Sequence, residues 1–353
     1  HGSAAAGAAA VDVAPRALSG SRLEKFKALL SSAKLDLAAL RELSWNGIPA
    51  EVRPDVWRLL SGYLPANIDR REITLERKRA EYRDFVQQYY TNKGGDTDAL
   101  THQIQIDIKR TNSDMPAFHN EVTHLMFERI LFIWAFRHPS SGYVQGINDL
   151  VTPFATVFLT PYLEDAKEDA DPICDASTVS DEVRELVEAD SYWCLTKLLD
   201  GIQDNYTAAQ PGIQKRIMEM KDMMVRVDKT LDDHLAGNGI QYLQFAFRWM
   251  NCLLMRELPL RCTIRLWDTY NAQTDGFATF HMCVACRRRR LMSVRRRGGS
   301  ASDATSVLMR PLRRGVQVRL CCVSHDVLEE AAGDQGVPGP DHVFAETANE
   351  RVA

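Results

Sequence analysis

The sequence lacks any apolar run long enough to cross a bilayer. Its longest uninterrupted one is Ile130–Phe136, far short of the ~20 residues that a membrane helix needs. The stretch 150–162 looks apolar, but Thr152, Pro153, Thr156, Thr160 and Pro161 interrupt it. No leader pattern is read at the start, and His1 stands where Met would, so a fragment or a processed chain is expected. The 8 cysteines show no small-domain disulfide framework, so reduced thiols and a cytosolic setting are expected. No G-x-x-x-x-G-K-[ST] run occurs, so this chain is not expected to bind nucleotide phosphates by itself. Catalytic-triad and zinc-protease spacings are missing as well. Alternating strand patterns are nearly absent.

What is present is ordinary globular material: 353 residues, 45% hydrophobic and 25% charged, enough for one large domain or two ordinary ones. Charge is unevenly placed. Residues 287–319 hold eleven arginines against one acid, Asp303, and so carry +10 within a chain of net charge −4. The remainder is therefore at −14, too acidic for a nucleic-acid-binding domain, and no specific nucleic acid is expected as a partner. The basic tail reads as a solvated segment rather than a contact for RNA or anionic lipid.

Residues 1–20 are rich in Ala and Gly without apolar periodicity and read as disordered. A helical domain is expected over 21–286. Ser21 and Glu24 have capping-box spacing, and Leu23, Phe26, Leu29 and Leu30 follow at helical spacing. Residues 71–90 read as one long amphipathic helix, with Ile73, Leu75, Tyr82, Phe85 and Tyr89 on one stripe. A short helical turn is expected over 104–110. Helix is expected over 116–137, with Leu125, Phe127, Ile130, Leu131, Trp134 and Phe136 mostly facing a core. Another apolar helix follows the Gly142–Gly146 turn. Eleven acids crowd residues 164–190, the pattern of a solvated loop entering a helix near Asp181. Helices are then expected over 191–204, 214–231, 240–257 and 260–270. The fold class is all-α. Beyond Phe280 the periodicity fails, and 287–353 reads as a disordered Arg-rich tail.

Three short segments stand out. In IQIDIKR, Ile104, Asp107 and Arg110 are spaced three apart, so a carboxylate can aim a guanidinium from one helix face. In SGYVQGIND, Tyr143, Gln145 and Gly146 lie at a Gly-flanked turn before a buried helix, where a rigid element would fix a side-chain amide. RLWD, Arg265 to Asp268, offers an amphipathic clasp with Trp267 in the core. Taken singly, each residue has a plainer reading. Arg110 would be a salt-bridged surface arginine, Gln145 a turn residue, Asp107 and Asp268 structural pair-formers, and Trp45, Trp57 and Trp267 core. Cys283, Cys286, Cys321, Cys322 and His325 make the one metal-like set, but their spacing is irregular and no metal site is expected.

The ordered set, however, resembles the TBC domain family, the Rab GTPase-activating proteins. WNGIPAEVRPDVW (Trp45 to Trp57, with Arg53) resembles that family's opening R-G-I-P-x-x-x-R-x-x-x-W, with Asn46 in place of the usual basic residue. IQIDIKR matches I-x-x-D-x-x-R and SGYVQG matches Y-x-Q-G. TIRLWD matches L-R-x-W-D with Ile264 for Leu. Stretches such as LLSGYLPANIDRR, KLLDGIQDNYTAAQPGIQ and YLQFAFRWMN further resemble the member 22 group of that family.

The resemblance implies a GTPase activator that acts on a GTP-bound Rab, rather than an enzyme with its own substrate. It implies that Arg110 is an arginine finger and Gln145 orients the attacking water. Asp107 would position Arg110, with Tyr143 and Gly146 supporting the turn. Mg²⁺ and GTP would be carried by the partner GTPase, so no cofactor is expected on this chain. Adaptor proteins and peripheral association with Golgi or other endomembranes are further expectations. In the family the helix beginning near Phe277 continues into a C-terminal lobe. Here Arg287–Arg290 interrupt it, so the lobe is expected to be truncated or replaced, with apolar faces exposed around Ile240 and Leu260. The alternative is a catalytically inactive binding module for a Rab or an adaptor.

Overall fold

The structure is a computed structural model that describes residues 14–273 apart from 113, 114, 116, 117, 164–174 and 228. Among the described residues the regular elements are helical, and the only strand-like feature is an isolated bridge between Lys34 and Asn67. The all-α expectation holds. The α-helices are α1 (Ala14–Leu30), α2 (Leu37–Trp45), α3 (Arg53–Leu60), α4 (Arg71–Phe85), α5 (Asp98–Ile108), α6 (Glu121–Arg137), α7 (Ile147–Leu159), α8 (Asp181–Gly201), α9 (Pro211–Val227), α10 (Lys229–Gly237), α11 (Tyr242–Asn251) and α12 (Leu260–Ala272).

Several boundaries differ from expectation for identifiable reasons. The first helix starts at Ala14, ahead of Ser21. Pro15 stands in its first turn, where a missing N–H costs nothing, and the Ala-containing segment favours helix. Helix α6 starts at Glu121, because the Asn120 side chain accepts from Thr123 N at 2.7 Å and fixes the cap. Leu125 and Phe136 on that helix are exposed, against expectation, at 42% and 45%. Helix α8 runs unbroken over Asp181–Gly201, joining the helix expected near Asp181 to the one expected from Ser191. Helix α11 stops at Asn251, because Leu253 and Leu254 take positive φ of 47° and 64°, which no right-handed helix allows. Residues 1–13 and the tail 287–353 lie outside the described residues.

The chain divides into two units, 14–210 with 263–273, and 211–262 within the described residues. In the first, α7 is the central rod. All its residues from Ile147 to Leu159 are buried, and it packs on α8, which packs in turn on α4 and α6. Buried acids explain how a helix as polar as α8 can be interior. Asp190 accepts from Arg58 Nε at 3.1 Å, Arg79 Nη2 at 2.7 Å and Tyr63 OH at 2.8 Å. Glu188 accepts from Arg129 Nε at 2.8 Å and Tyr82 OH at 2.6 Å. Burial pushes the Glu188 carboxyl up from its ordinary value, and Arg129 opposes that shift.

The clasp expected at RLWD closes this unit. Asp268, fully buried, accepts from Ile48 N at 2.9 Å, Arg53 Nε at 3.0 Å and Trp57 Nε1 at 2.8 Å. Trp57 stacks on Trp267 with ring centroids 6.3 Å apart, and Phe154 of α7 packs on both edgewise. Arg265 lies directly against Gly47, whose φ is +101°. A Cβ there would come within 2.8 Å of Arg265 Cδ and Cζ. Gly47→Ala should therefore cost about 2–4 kcal/mol, from overpacking plus left-handed strain. A thermal melt followed by circular dichroism would measure it.

The second unit is built on α9, which packs against α10 and α11. Ile213, Ile217, Met220, Met224, Leu235, Phe245 and Trp249 fill its interior. Ile240 and Leu260 are buried, whereas Leu243 and Phe247 on α11 are exposed. The helix that follows Ile240 thus carries an exposed apolar face, as expected, and Met218 and Val225 of α9 are exposed as well.

Candidate functional site

The site grows from the last turn of α5. Ile104 and Asp107 are buried and Arg110 is exposed, so the threefold spacing carries the face from core to surface. The turn tightens as α5 ends: Arg110 N donates to Asp107 O at 3.1 Å, and Thr111 N to Ile108 O at 2.9 Å. The Arg110 guanidinium donates through Nη2 to Asp107 Oδ1 at 3.1 Å and through Nε to Ile106 O at 3.2 Å. Its side chain is nonetheless 60% exposed, whereas that of Asp107 is 2% exposed. An ion pair this open contributes little to stability. Its consequence is directional, since one edge of the planar fork is held and the rest faces solvent.

Asp107 reaches further. Its Oδ2 accepts from Gln103 Nε2 at 3.1 Å and from Tyr143 OH at 3.0 Å. Tyr143 belongs to the turn before α7, so one buried carboxylate joins two motifs 36 residues apart. The turn itself needs glycine, because Gly142 and Gly146 take φ of +63° and +110°. Gly146 caps α7 and donates its N–H to Asn148 Oδ1 at 2.9 Å. Gln145 is exposed directly before that cap. The structure thus brings Arg110, Asp107, Tyr143, Gln145 and Gly146 onto one connected framework. Arg53, Trp57, Arg265, Trp267 and Asp268 do not join it; they form the clasp described above.

Asn148 and Thr111 escape a reading of the sequence. Asn148, 1% exposed, donates to Thr111 Oγ1 at 2.8 Å while accepting from Gly146 N. The available signal was an Asn beside Asp149 in the first turn of a largely apolar helix. Among the described residues no group of His, Cys, Asp and Glu is placed to hold a metal ion. The irregular set from Cys283 to His325 lies outside them. No helix among the described residues is long and apolar enough to cross a membrane.

Residues 50–290 match the family model of the Rab-GTPase-TBC domain. The chain belongs to this family. The Rab-GTPase-TBC match begins before α3 and runs past the last described residue, so the expected truncation of the C-terminal lobe lies outside the described residues. The chain is similar to human TBC1 domain family member 22B, 57% identical over 264 residues, which are 74% of this chain and 52% of that protein. It is also similar to the GTPase-activating protein gyp1 of Schizosaccharomyces pombe, 49% identical over 78% of this chain and 54% of that one. The chain spans about half the length of these curated relatives. Its fold resembles the crystal structure of the Ypt/Rab-GAP domain of Gyp1p, with a TM-score of 0.79 at 39% identity over 89% of this chain and 97% of that one.

Proposed function

We propose that this chain accelerates GTP hydrolysis by a Rab-family GTPase, acting in trans through Arg110 and Gln145. Phosphoryl transfer needs little covalent help; it needs charge stabilisation on the transferring oxygens and an aligned water. Arg110 suits the first task, because a guanidinium stays protonated and presents a planar fork. Gln145 suits the second, because a neutral amide donates and accepts at once. Asp107 holds the guanidinium, and Tyr143 ties that carboxylate to the turn bearing the amide. GTP and Mg²⁺ come with the GTPase.

What supports this reading is one observation: two exposed polar side chains, Arg110 and Gln145, stand on elements joined through the buried Asp107 carboxylate. The test is phosphate release from a panel of GTP-loaded Rabs with the chain at substoichiometric amounts. At least one Rab should be stimulated over many turnovers, and Gln145→Ala should lower that stimulation about 10²-fold through lost alignment of the water. Tight binding of a GTP-loaded Rab with no gain in rate would turn the assignment to the inactive binding module.

A further inference from the structure

We infer that Asn148 and Thr152 of α7 form a two-rung clamp that sets the register between the two proposed catalytic side chains. This inference rests on the reading above and deepens it. Asn148 and Thr152 are four residues apart and so lie on one face of α7. Both are buried, at 1% and 0% exposure. Each holds one of the two residues that follow Arg110. Asn148 Nδ2 donates to Thr111 Oγ1 at 2.8 Å, and Asn112 Nδ2 donates to Thr152 Oγ1 at 3.0 Å.

The direction of the chain there is set by these bonds and not by regular helix. Asn112 has a φ of +47°, the left-handed region that asparagine tolerates better than most residues other than glycine. Thr111 passes the connection on, since its hydroxyl donates to Asp107 O at 3.0 Å. The other end of the Asn148 amide faces the second motif. Its Oδ1 accepts from Gly146 N at 2.9 Å and lies 3.3 Å from Tyr143 OH. A single amide therefore grips the end of α5 with its nitrogen and the Gln145 turn with its oxygen. The Tyr143 hydroxyl, which also donates to Asp107 Oδ2 at 3.0 Å, ties the same two elements a second time.

Asn148 touches solvent almost nowhere and has no access to a bound GTPase. It is a positioning residue, and its loss should fall on the chemical step and spare docking. A misplacement of about 1 Å can cost about 10²-fold in rate. Stimulated hydrolysis of a Rab that the unsubstituted chain activates should be measured with kcat and KM separated, alongside a thermal melt. For Asn148→Ala, kcat should fall about 10²-fold with KM within about twofold. Thr152→Val and Thr111→Val keep the side-chain volume, remove one rung each, and should lower kcat by a smaller factor. Should Asn148→Ala fail to fold, the two valine variants decide the matter. Parental kcat in the folded variants, or a loss confined to KM, overturns the clamp. Failure of the unsubstituted chain to stimulate any Rab overturns the underlying reading itself.

Discussion

Arg110→Ala should lower stimulated GTP hydrolysis about 10³–10⁵-fold while leaving the fold intact. The size follows from what an arginine finger contributes to charge stabilisation in the transition state, about 4–7 kcal/mol of barrier. The selectivity follows from the geometry. The Arg110 side chain is 60% exposed although its partner Asp107 is buried, so removing it should change stability by about 1 kcal/mol or less. Asp107 keeps Gln103 and Tyr143 as donors, so the variant strands no naked buried carboxylate. Arg110→Lys sharpens the test. An ammonium retains the charge but cannot hold Asp107 with one edge and present a parallel pair of donors with the other. It should therefore behave much more like alanine than like arginine. Single-turnover phosphate release, with a melt of each variant, reads both quantities. Parental stimulation by Arg110→Ala would remove the finger from this position.

How much of this was legible beforehand depended on whether the controlling interaction was local. The Gly-flanked turn before α7 and the Asp107–Arg110 spacing are short-range features, and spacing exposes them; the stripe expected over 71–90 holds only in part, since α4 ends at Phe85 and Ile73 is 69% exposed. Tyr143 and Gly146 were visible because a left-handed turn demands glycine. Asn148 was not, since its meaning depends on Thr111, 37 residues away. The continuity of α8 was hidden for a similar reason. Glu188 and Asp190 look like loop acids until their partners from α3, α4 and α6 are known. The break after Asn251 was hidden because Leu253 and Leu254 are good helix formers held in positive φ by their surroundings. Tertiary context overrode propensity there.

Asp190→Ala should destabilise the first unit by about 3–5 kcal/mol, the cost of breaking a buried ion pair from one side. Asp190 is 1% exposed and serves Arg58, Arg79 and Tyr63 together. Burial works against the charge of Arg58, but the Asp190 carboxylate, Asp55 and Cys194 together outweigh it and hold that guanidinium above its ordinary pKa. Without Asp190, Arg58 keeps only Asp55, 2.7 Å away and 63% exposed, a weak substitute. Two cations and a phenol would then face an apolar interior that includes Phe158, whose ring lies 4.8 Å from the Arg58 guanidinium carbon. Burial, and then Asp190, push the Tyr63 hydroxyl above its ordinary value of 10.0. A raised folded pKa means that this contribution is complete below about pH 10 and is lost as pH climbs further. Asp190→Ala should therefore lower the plateau of the stability profile and weaken its alkaline limb only in part, since burial, the larger cause of the Tyr63 shift, remains. The triple variant Arg58→Met, Arg79→Met, Asp190→Leu should recover most of the loss, because it removes the charges together instead of orphaning two. Chemical denaturation between pH 7 and 11 measures all three effects. A single Asp190→Ala variant as stable as the parent would mean that the network contributes nothing net to the fold.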